Sequence, residues 1–292
     1  MNKKITLLVV LTISIAAFGQ CWQKVTGGTT HSLALRNDGT LWAWGVNSSG
    51  ELGIGSNVDK NIPTQVGTDN NWQSIAVGAN FSLALKTNGT LWAWGSNSNG
   101  QVGDGSGTNK NIPTQIGTAT DWQSIGSGSY AAYAIKNNGT LWSWGENNKG
   151  QLGVGGYTNR SIPTQVGTDT NWQSVSGGTS HTLALKTDGT LWSCGYNLFG
   201  QLGLGSTQDK TTFNKIGTDT DWQSFAGGGN HSIAKKTNGV VYTWGLNTYG
   251  ELGDGTNTQR TLPNPVMDQA LTVEAGFSHC TVIRNDYRLI AW

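Results

Sequence analysis

The dipeptide Trp-Gln recurs at Trp22, Trp72, Trp122, Trp172 and Trp222, an unbroken period of fifty residues. A period of that length marks a repeat architecture: each unit cannot bury its apolar surface alone, and stacked neighbours supply the core. Within each unit the order of signals is constant. A Gly cluster follows the Trp-Gln strand, as at Gly27-Gly28 and Gly177-Gly178. Next comes a short alternating strand, His31-Ser32-Leu33-Ala34-Leu35 in the first unit and His181-Thr182-Leu183-Ala184-Leu185 in the fourth. A turn dipeptide follows at Asp38-Gly39, Asn88-Gly89, Asn138-Gly139, Asp188-Gly189 and Asn238-Gly239. Such pairs suit a type I′ hairpin turn, which needs φ > 0 at both central residues. The second hairpin strand reads Thr40-Leu41-Trp42-Ala43-Trp44-Gly45.

Beyond the hairpin lie an Asn/Ser loop, a Gly-rich segment such as Gly50-Glu51-Leu52-Gly53, and an extended piece, Ile62-Pro63-Thr64-Gln65-Val66. Pro cannot donate to a ladder, so this piece belongs on a sheet edge. Four short strands per unit, with no helical period anywhere, predict an all-β propeller of four-stranded blades. Trp42 and Trp44 share one face of their strand and Leu41 and Ala43 the other, so both faces are expected to be buried. Five full units precede a partial sixth, Ala270 to Trp292, which lacks the Trp-Gln start and has Tyr287 in place of the turn Gly. About six blades are therefore visible, the last incomplete and without a Pro strand. With the His strand innermost, the Trp22 strand would join the last blade and latch the ring.

These units resemble repeats of the regulator of chromosome condensation family. The motifs that carry the resemblance are Trp44-Gly45, Gly50-Glu51-Leu52-Gly53, Pro63-Thr64-Gln65-Val66 and Gly28-Thr29-Thr30-His31-Ser32-Leu33-Ala34-Leu35. The resemblance spans residues 22–292 and implies a ring, usually of seven blades. It offers two precedents: nuclear nucleotide exchange on a Ran-type GTPase, and a secreted propeller that inhibits β-lactamases through an aromatic loop face. The chain departs from the first, having no basic tail and no irregular insertion to act as an exchange wedge.

At the N-terminus Lys3 and Lys4 precede an uncharged, mostly apolar stretch from Ile5 to Ala17, too short to span a bilayer. Ala17 and Gly19 sit at the −3 and −1 positions of a signal-peptidase site. Residues 1–19 are thus read as a signal peptide, with cleavage near Gly19, and residues 20–292 as a single propeller domain in a secreted, extracellular or periplasmic protein. A lipid anchor on Cys21 is the competing reading, and the bulk of Gln20 opposes it. Loss of Lys3 and Lys4 would leave 16 basic against 17 acidic side chains. That balance offers no footprint for nucleic acid and no basic face for an anionic membrane. Cys21 and Cys280 lie near opposite ends and could pair on ring closure. Two unpaired thiols are the simpler reading, and Cys194 stands where sister units have Trp.

His31, His181, His231 and His279 share one repeat position, filled by Phe81 and Ala131 elsewhere. No second ligand stands close by, so the expected role is structural, a ring bonded to a turn, with no metal site. Gly103-Asp104-Gly105-Ser106-Gly107 resembles a phosphate or Ca²⁺ cradle, but most copies lack the carboxylate, and loop geometry explains it better. No nucleophile elbow, phosphate loop or zinc motif occurs. The expectation is a non-catalytic, monomeric scaffold without cofactor, binding a protein or glycan through variable loops on one face. An extracellular enzyme acting on polysaccharide is the alternative from another class, and family-type nucleotide exchange is disfavoured. The loop aromatics Tyr130, Tyr196, Phe199 and Tyr249 are the candidate partner-binding residues.

Overall fold

The computed structural model describes residues 21–292; the leader read at residues 1–19, with its cleavage point, lies outside them. Six antiparallel sheets are arranged about one axis, each a blade, five with four strands and the last with three. Blade one runs Trp22–Gly27, His31–Arg36, Leu41–Gly45 and Lys60–Gln65, paired in sequence order. Blades two to five copy it. Blade six has Ala270–Ala275, Cys280–Arg284 and Leu289–Ala291, and lacks the Pro strand as expected.

The innermost strand is the Trp-Gln strand, not the His strand. Its last residues, Gly27, Val77, Ser127, Gly177, Gly227 and Ala275, line the axial cavity. They are small because the first strands converge there: a Cβ on Gly177 would lie 2.7 Å from Gly128 Cα. Trp22 therefore begins blade one, and among the described residues no blade is shared between the N-terminal and C-terminal segments.

Blades stack by one rule. Leu33, Leu35, Leu41 and Ala43 of blade one pack against Trp72, Ile75, Ala84 and Trp94 of blade two. The same alternation of a Leu face and a Trp face recurs along the ring. Burying each Leu or Ile among them is worth about 1.5–3 kcal/mol. Polar groups lock the junctions. The indole N–H groups of Trp94, Trp144, Trp244 and Trp292 donate to the carbonyls of Glu51, Gln101, Gln201 and Glu251 on the preceding blade, at 2.8–3.0 Å. Gly53 makes room for this: a Cβ there would stand 2.7 Å from the Trp94 ring nitrogen.

Blade four breaks the rule with Cys194, and Phe213 fills the space, where the sister units have Pro. Its ring lies 5.1 Å from that of Trp172, and both Phe213 and Cys194 close over Gly153. Cys194 is thus half of a paired exchange, a small core residue as expected. Cys21 is exposed, Cys280 is buried on the face toward blade five, and both are free.

The hairpin turns differ from expectation. Only the Gly has positive φ, 78° at Gly39, while Asp38 does not. Gly39 N–H bonds Arg36 C=O at 3.0 Å and Arg36 N–H bonds Thr40 C=O at 3.0 Å. This is a type I turn followed by a Gly bulge, the three-residue alternative to type I′. The Asp serves by side-chain bonding: its carboxylate accepts from Thr40 N–H at 3.0 Å and Thr40 Oγ1 at 2.6 Å. In blade six Tyr287 itself takes positive φ, 62°.

Candidate functional site

Each second strand begins opposite the end of the third, as His181 pairs with Gly195. The loops before the His position and after Trp-Gly therefore emerge on one face of the ring. The hairpin turns and the links between units emerge on the other.

The loops of the first face are built alike. Asn47, Asn97, Asn147, Asn197 and Asn247 are fully buried. The Asn47 amide donates to Ser56 C=O at 2.7 Å and Val58 C=O at 3.1 Å, while its oxygen accepts from Leu52 N–H at 2.9 Å. This constant Asn is structural, and it holds its variable neighbours outward. Asp104 belongs to the same scaffold. Burial alone would raise its pKa, but bonds from Lys110, Ser106 and Asn97 outweigh that and hold it at about 2. Its oxygens meet Lys110 Nζ at 2.9 Å and Ser106 Oγ at 2.8 Å, so the Gly-Asp-Gly-Ser-Gly segment satisfies itself.

All four candidate aromatics stand on this face. Tyr249 is 80% exposed, and Tyr130 is exposed less. Tyr196 and Phe199 are half-buried and meet edge to face, centroids 6.1 Å apart, with Lys149 Nζ 5.1 Å from the Tyr196 ring. Tyr249 and Tyr130 lie on the flanking blades, five and three. Sequence reasoning missed Tyr157 and Leu198, both exposed on the same loops, and left Phe277 out of the candidates. The available signal was departure from the repeat, since Asn57 and Ser48 occupy the equivalent positions in the first unit.

The opposite face is polar. Its ion pairs recur, Lys86 with Asp69 at 2.7 Å and Lys186 with Asp169 at 2.6 Å. Each Lys lies over two Trp rings: Lys86 is 4.7 Å from Trp72 and 4.0 Å from Trp92. The axial cavity, about 450 Å³, opens among Gly, Ala, Ser and Thr residues, with Glu274, Phe277 and His279 from blade six.

His31 and His181 are structural and bond across a junction rather than to a turn, while His231 is buried with its Nε2 unpartnered and His279 is exposed beside the axial cavity. His31 Nε2 meets Ser82 Oγ of the next blade at 3.0 Å, and His181 Nε2 meets Ser232 Oγ at 2.9 Å. Each hydroxyl in turn donates to a carbonyl of the blade that carries the His, Glu51 or Gln201, at 2.8 Å. Where the His position holds Ala131, the Tyr133 hydroxyl reaches Thr182 Oγ1 at 2.7 Å instead. Where it holds Phe81, the next blade offers Ala132 in the same apolar cluster. Burial lowers the His31 pKa to about 4 and the His181 pKa to about 3. Among the described residues no group of His, Cys, Asp and Glu could hold a metal ion, and no helix is long and apolar enough to cross a membrane.

A family model described as the RCC1-like domain matches residues 10–292. A stretch of 43 residues is 44% identical to the ultraviolet-B receptor UVR8 of Arabidopsis thaliana, covering 15% of this chain and 10% of that one. Another, of 47 residues, is 38% identical to Ras guanine nucleotide exchange factor C of Dictyostelium discoideum, covering 16% and 3%. The chain thus spans no more than a tenth of either relative. Among solved structures, yeast RCC1 (Prp20) bound to Kap60 superposes with a TM-score of 0.81 at 22% identity, over 93% of this chain and 69% of that one. Human WBSCR16 gives 0.80 at 22%, over 89% and 71%. At such identities the likeness is one of fold.

Proposed function

The chain belongs to the RCC1-like domain family, and from that premise we propose that it is a secreted, non-catalytic binding module that recognises a protein through the aromatic face of its ring. One observation carries the reading. Several departures from the repeat are aromatic or large apolar residues gathered at one face, exposed or half-buried: Tyr130, Tyr157, Leu198, Phe199, Tyr249 and Phe277. Rigid aromatics on a fixed scaffold lose little entropy on binding and make good anchors. The loops beneath them are held by buried Asn side chains, so the face is preorganised. Protein partners are also the precedent for a relative of this fold, since Prp20p of Saccharomyces cerevisiae was characterised for its binding to Gsp1p and histones. Export rests on the Lys3-Lys4 segment, the apolar stretch and the small residues before Gln20.

The test uses the exported chain as bait against the surrounding medium or periplasm. Tyr249→Ala with Phe277→Ala should abolish capture, and Gln73→Ala with Gln123→Ala on the opposite face should leave it intact. Capture unchanged by the first pair sinks the aromatic face. The N-terminal mass of the exported chain should place Gln20 first; an intact Met1 leader refutes export by cleavage.

A further inference from the structure

Tyr130, Glu146 and Tyr196, three departures from the repeat, meet at one spot of the loop face. Tyr130 and Glu146 flank the pair Ala131–Gly145 on blade three, and Glu146 N–H donates to Tyr130 C=O at 2.9 Å. Tyr196 holds the position of Glu146 on the next blade, where it meets Phe199 edge to face. Gln151 ties blade three's part together. Its side-chain oxygen accepts from Lys149 N–H at 2.9 Å, and its amide donates to Glu146 Oε2 at 3.2 Å. The other units do not repeat this set. Val46, Ser96 and Leu246 stand at the Glu146 position, and Thr30, Asn80, Ser180 and Asn230 at the Tyr130 position.

The other carboxylates of these loops are satisfied. Asp104 and Asp254 pair with Lys110 and Arg260, at 2.9 and 2.8 Å. Asp59 and Asp209 each accept the backbone N–H of a buried Asn at 2.8 Å. Glu51 and Glu251 accept N–H bonds from Ser49 and Tyr249, at 2.7 and 2.8 Å. Glu146 accepts only the neutral Gln151 amide, and among the described residues no Lys or Arg pairs with it. It is half-buried, burial raises its pKa, and no opposing charge offsets the shift. Lys149 turns instead to the Tyr196 ring, with Nζ 5.1 Å from the centroid, so that ring face already attracts a cation.

We infer that this spot receives an arginine side chain of the protein partner, its guanidinium forked onto Glu146 and laid against Tyr130 and Tyr196. A carboxylate that is partly out of water and has no cation gains from one that arrives with hydrogen bonds. A planar guanidinium can fork onto a carboxylate and stack on a ring at once, which a point-like ammonium cannot. The chain houses one of its own arginines in this way, Arg36, 3.8 Å over Trp42. The inference rests on the aromatic-face reading and names what the partner brings to that face.

The experiment titrates the isotope-labelled exported chain with N-acetyl-arginine amide, and in parallel with its citrulline and lysine analogues. Citrulline keeps the shape and loses the charge. The arginine probe should shift the backbone amide resonances of Tyr130, Glu146 and Tyr196 saturably. It should bind about tenfold or more tighter than the citrulline probe, the worth of one charge-assisted pair. The lysine probe should fall between the two. Glu146→Gln should abolish the preference for charge and leave the rest of the spectrum, and so the fold, unchanged. Lys149→Ala should tighten the arginine probe by about twofold or more, because a competing cation leaves the Tyr196 ring. A variant that failed to fold could not bind better. Equal binding of arginine and citrulline overturns the inference, and so does an undiminished preference in Glu146→Gln. Lysine matching arginine overturns the guanidinium assignment. Capture of a partner separates this inference from the reading beneath it. If Tyr249→Ala with Phe277→Ala abolishes capture and Glu146→Gln leaves it whole, the arginine contact falls alone. If that pair leaves capture whole while the titration behaves as stated, the aromatic face falls as the capture surface and the arginine site stands.

Discussion

Replacing Ser232 with Ala tests how the blades are held. The Ser232 hydroxyl donates to Gln201 C=O at 2.8 Å and accepts from His181 Nε2 at 2.9 Å. In the variant Gln201 C=O keeps the Trp244 indole N–H, also at 2.8 Å, so its loss is partial. The His181 N–H loses its acceptor in a site only 1% exposed. A buried donor left unsatisfied costs about 1–3 kcal/mol. For a domain of this size a 2 kcal/mol loss lowers Tm by about 4–8 °C. His181→Phe with Ser232→Ala then rebuilds the Phe81–Ala132 pairing of the second junction. The Phe81 ring lies over Gly78 as the His181 ring lies over Gly178, so the aromatic ring has the same floor. The double variant should cost less than the two single changes summed, by about 1 kcal/mol or more. Urea unfolding followed by Trp fluorescence gives each value, with m required to stay constant. A cost for Ser232→Ala below about 0.5 kcal/mol refutes the bonding argument, since that is the spread of neutral surface changes. Strict additivity in the double variant refutes the pairing argument. Acid supplies a second reading. Burial holds His181 near pKa 3 and His31 and His231 near 4, against 6.5 when free. Below pH 6.5 the unfolded chain binds protons that the folded chain refuses, so stability falls as pH falls, until the folded pKa is reached. The slope is at most about 1.4 kcal/mol per pH unit for each histidine. The double variant removes one of the three and should flatten the decline between pH 6 and 4.

Three further outcomes are expected. Cys194→Trp alone should destabilise by about 1–3 kcal/mol through overpacking against Phe213, and Phe213→Pro in the same chain should recover most of it, read by thermal melts. Tyr287→Gly should stabilise by about 1 kcal/mol, because the exposed Tyr holds a positive φ that costs Gly nothing; an unchanged denaturation midpoint would refute the strain. Glu51→Gln should stabilise by about 1 kcal/mol at neutral pH, copying the Gln at this position in the second, third and fourth units. Burial raises the Glu51 pKa, so its folded form keeps a proton that the unfolded chain releases above the free value of 4.5. Its stability contribution is therefore present at acid pH and lost as pH rises, and the gain from Gln should vanish in melts at pH 4.

The aromatic face was legible only as departure from a pattern. Tyr196, Phe199 and Tyr249 differ from their copies in sister units, and so do Tyr157 and Leu198, which sequence reasoning passed over. Nothing local tells which variable residue points outward; the buried Asn that anchors each loop decides that. The histidines show the same limit from the other side. Their shared repeat position marked them as structural, but the partners of His31 and His181 lie 51 residues away in the chain. The turn assignment failed for a related reason, because Asp-Gly serves two hairpin geometries and the register of the flanking strands chooses between them.

By itself the sequence determined the unit: four strands in fixed order, a Gly where the chain must turn, alternation that buries both faces, and a sixth unit short of its last strand. These follow from backbone sterics and from period-two side-chain alternation, both local. Tertiary structure decided everything that depends on one unit meeting the next. It placed the Trp-Gln strand at the axis, because only its small residues fit where six strands converge. It matched His with Ser, Phe with Ala and, within one blade, Cys194 with Phe213, because packing density couples positions that local rules treat separately.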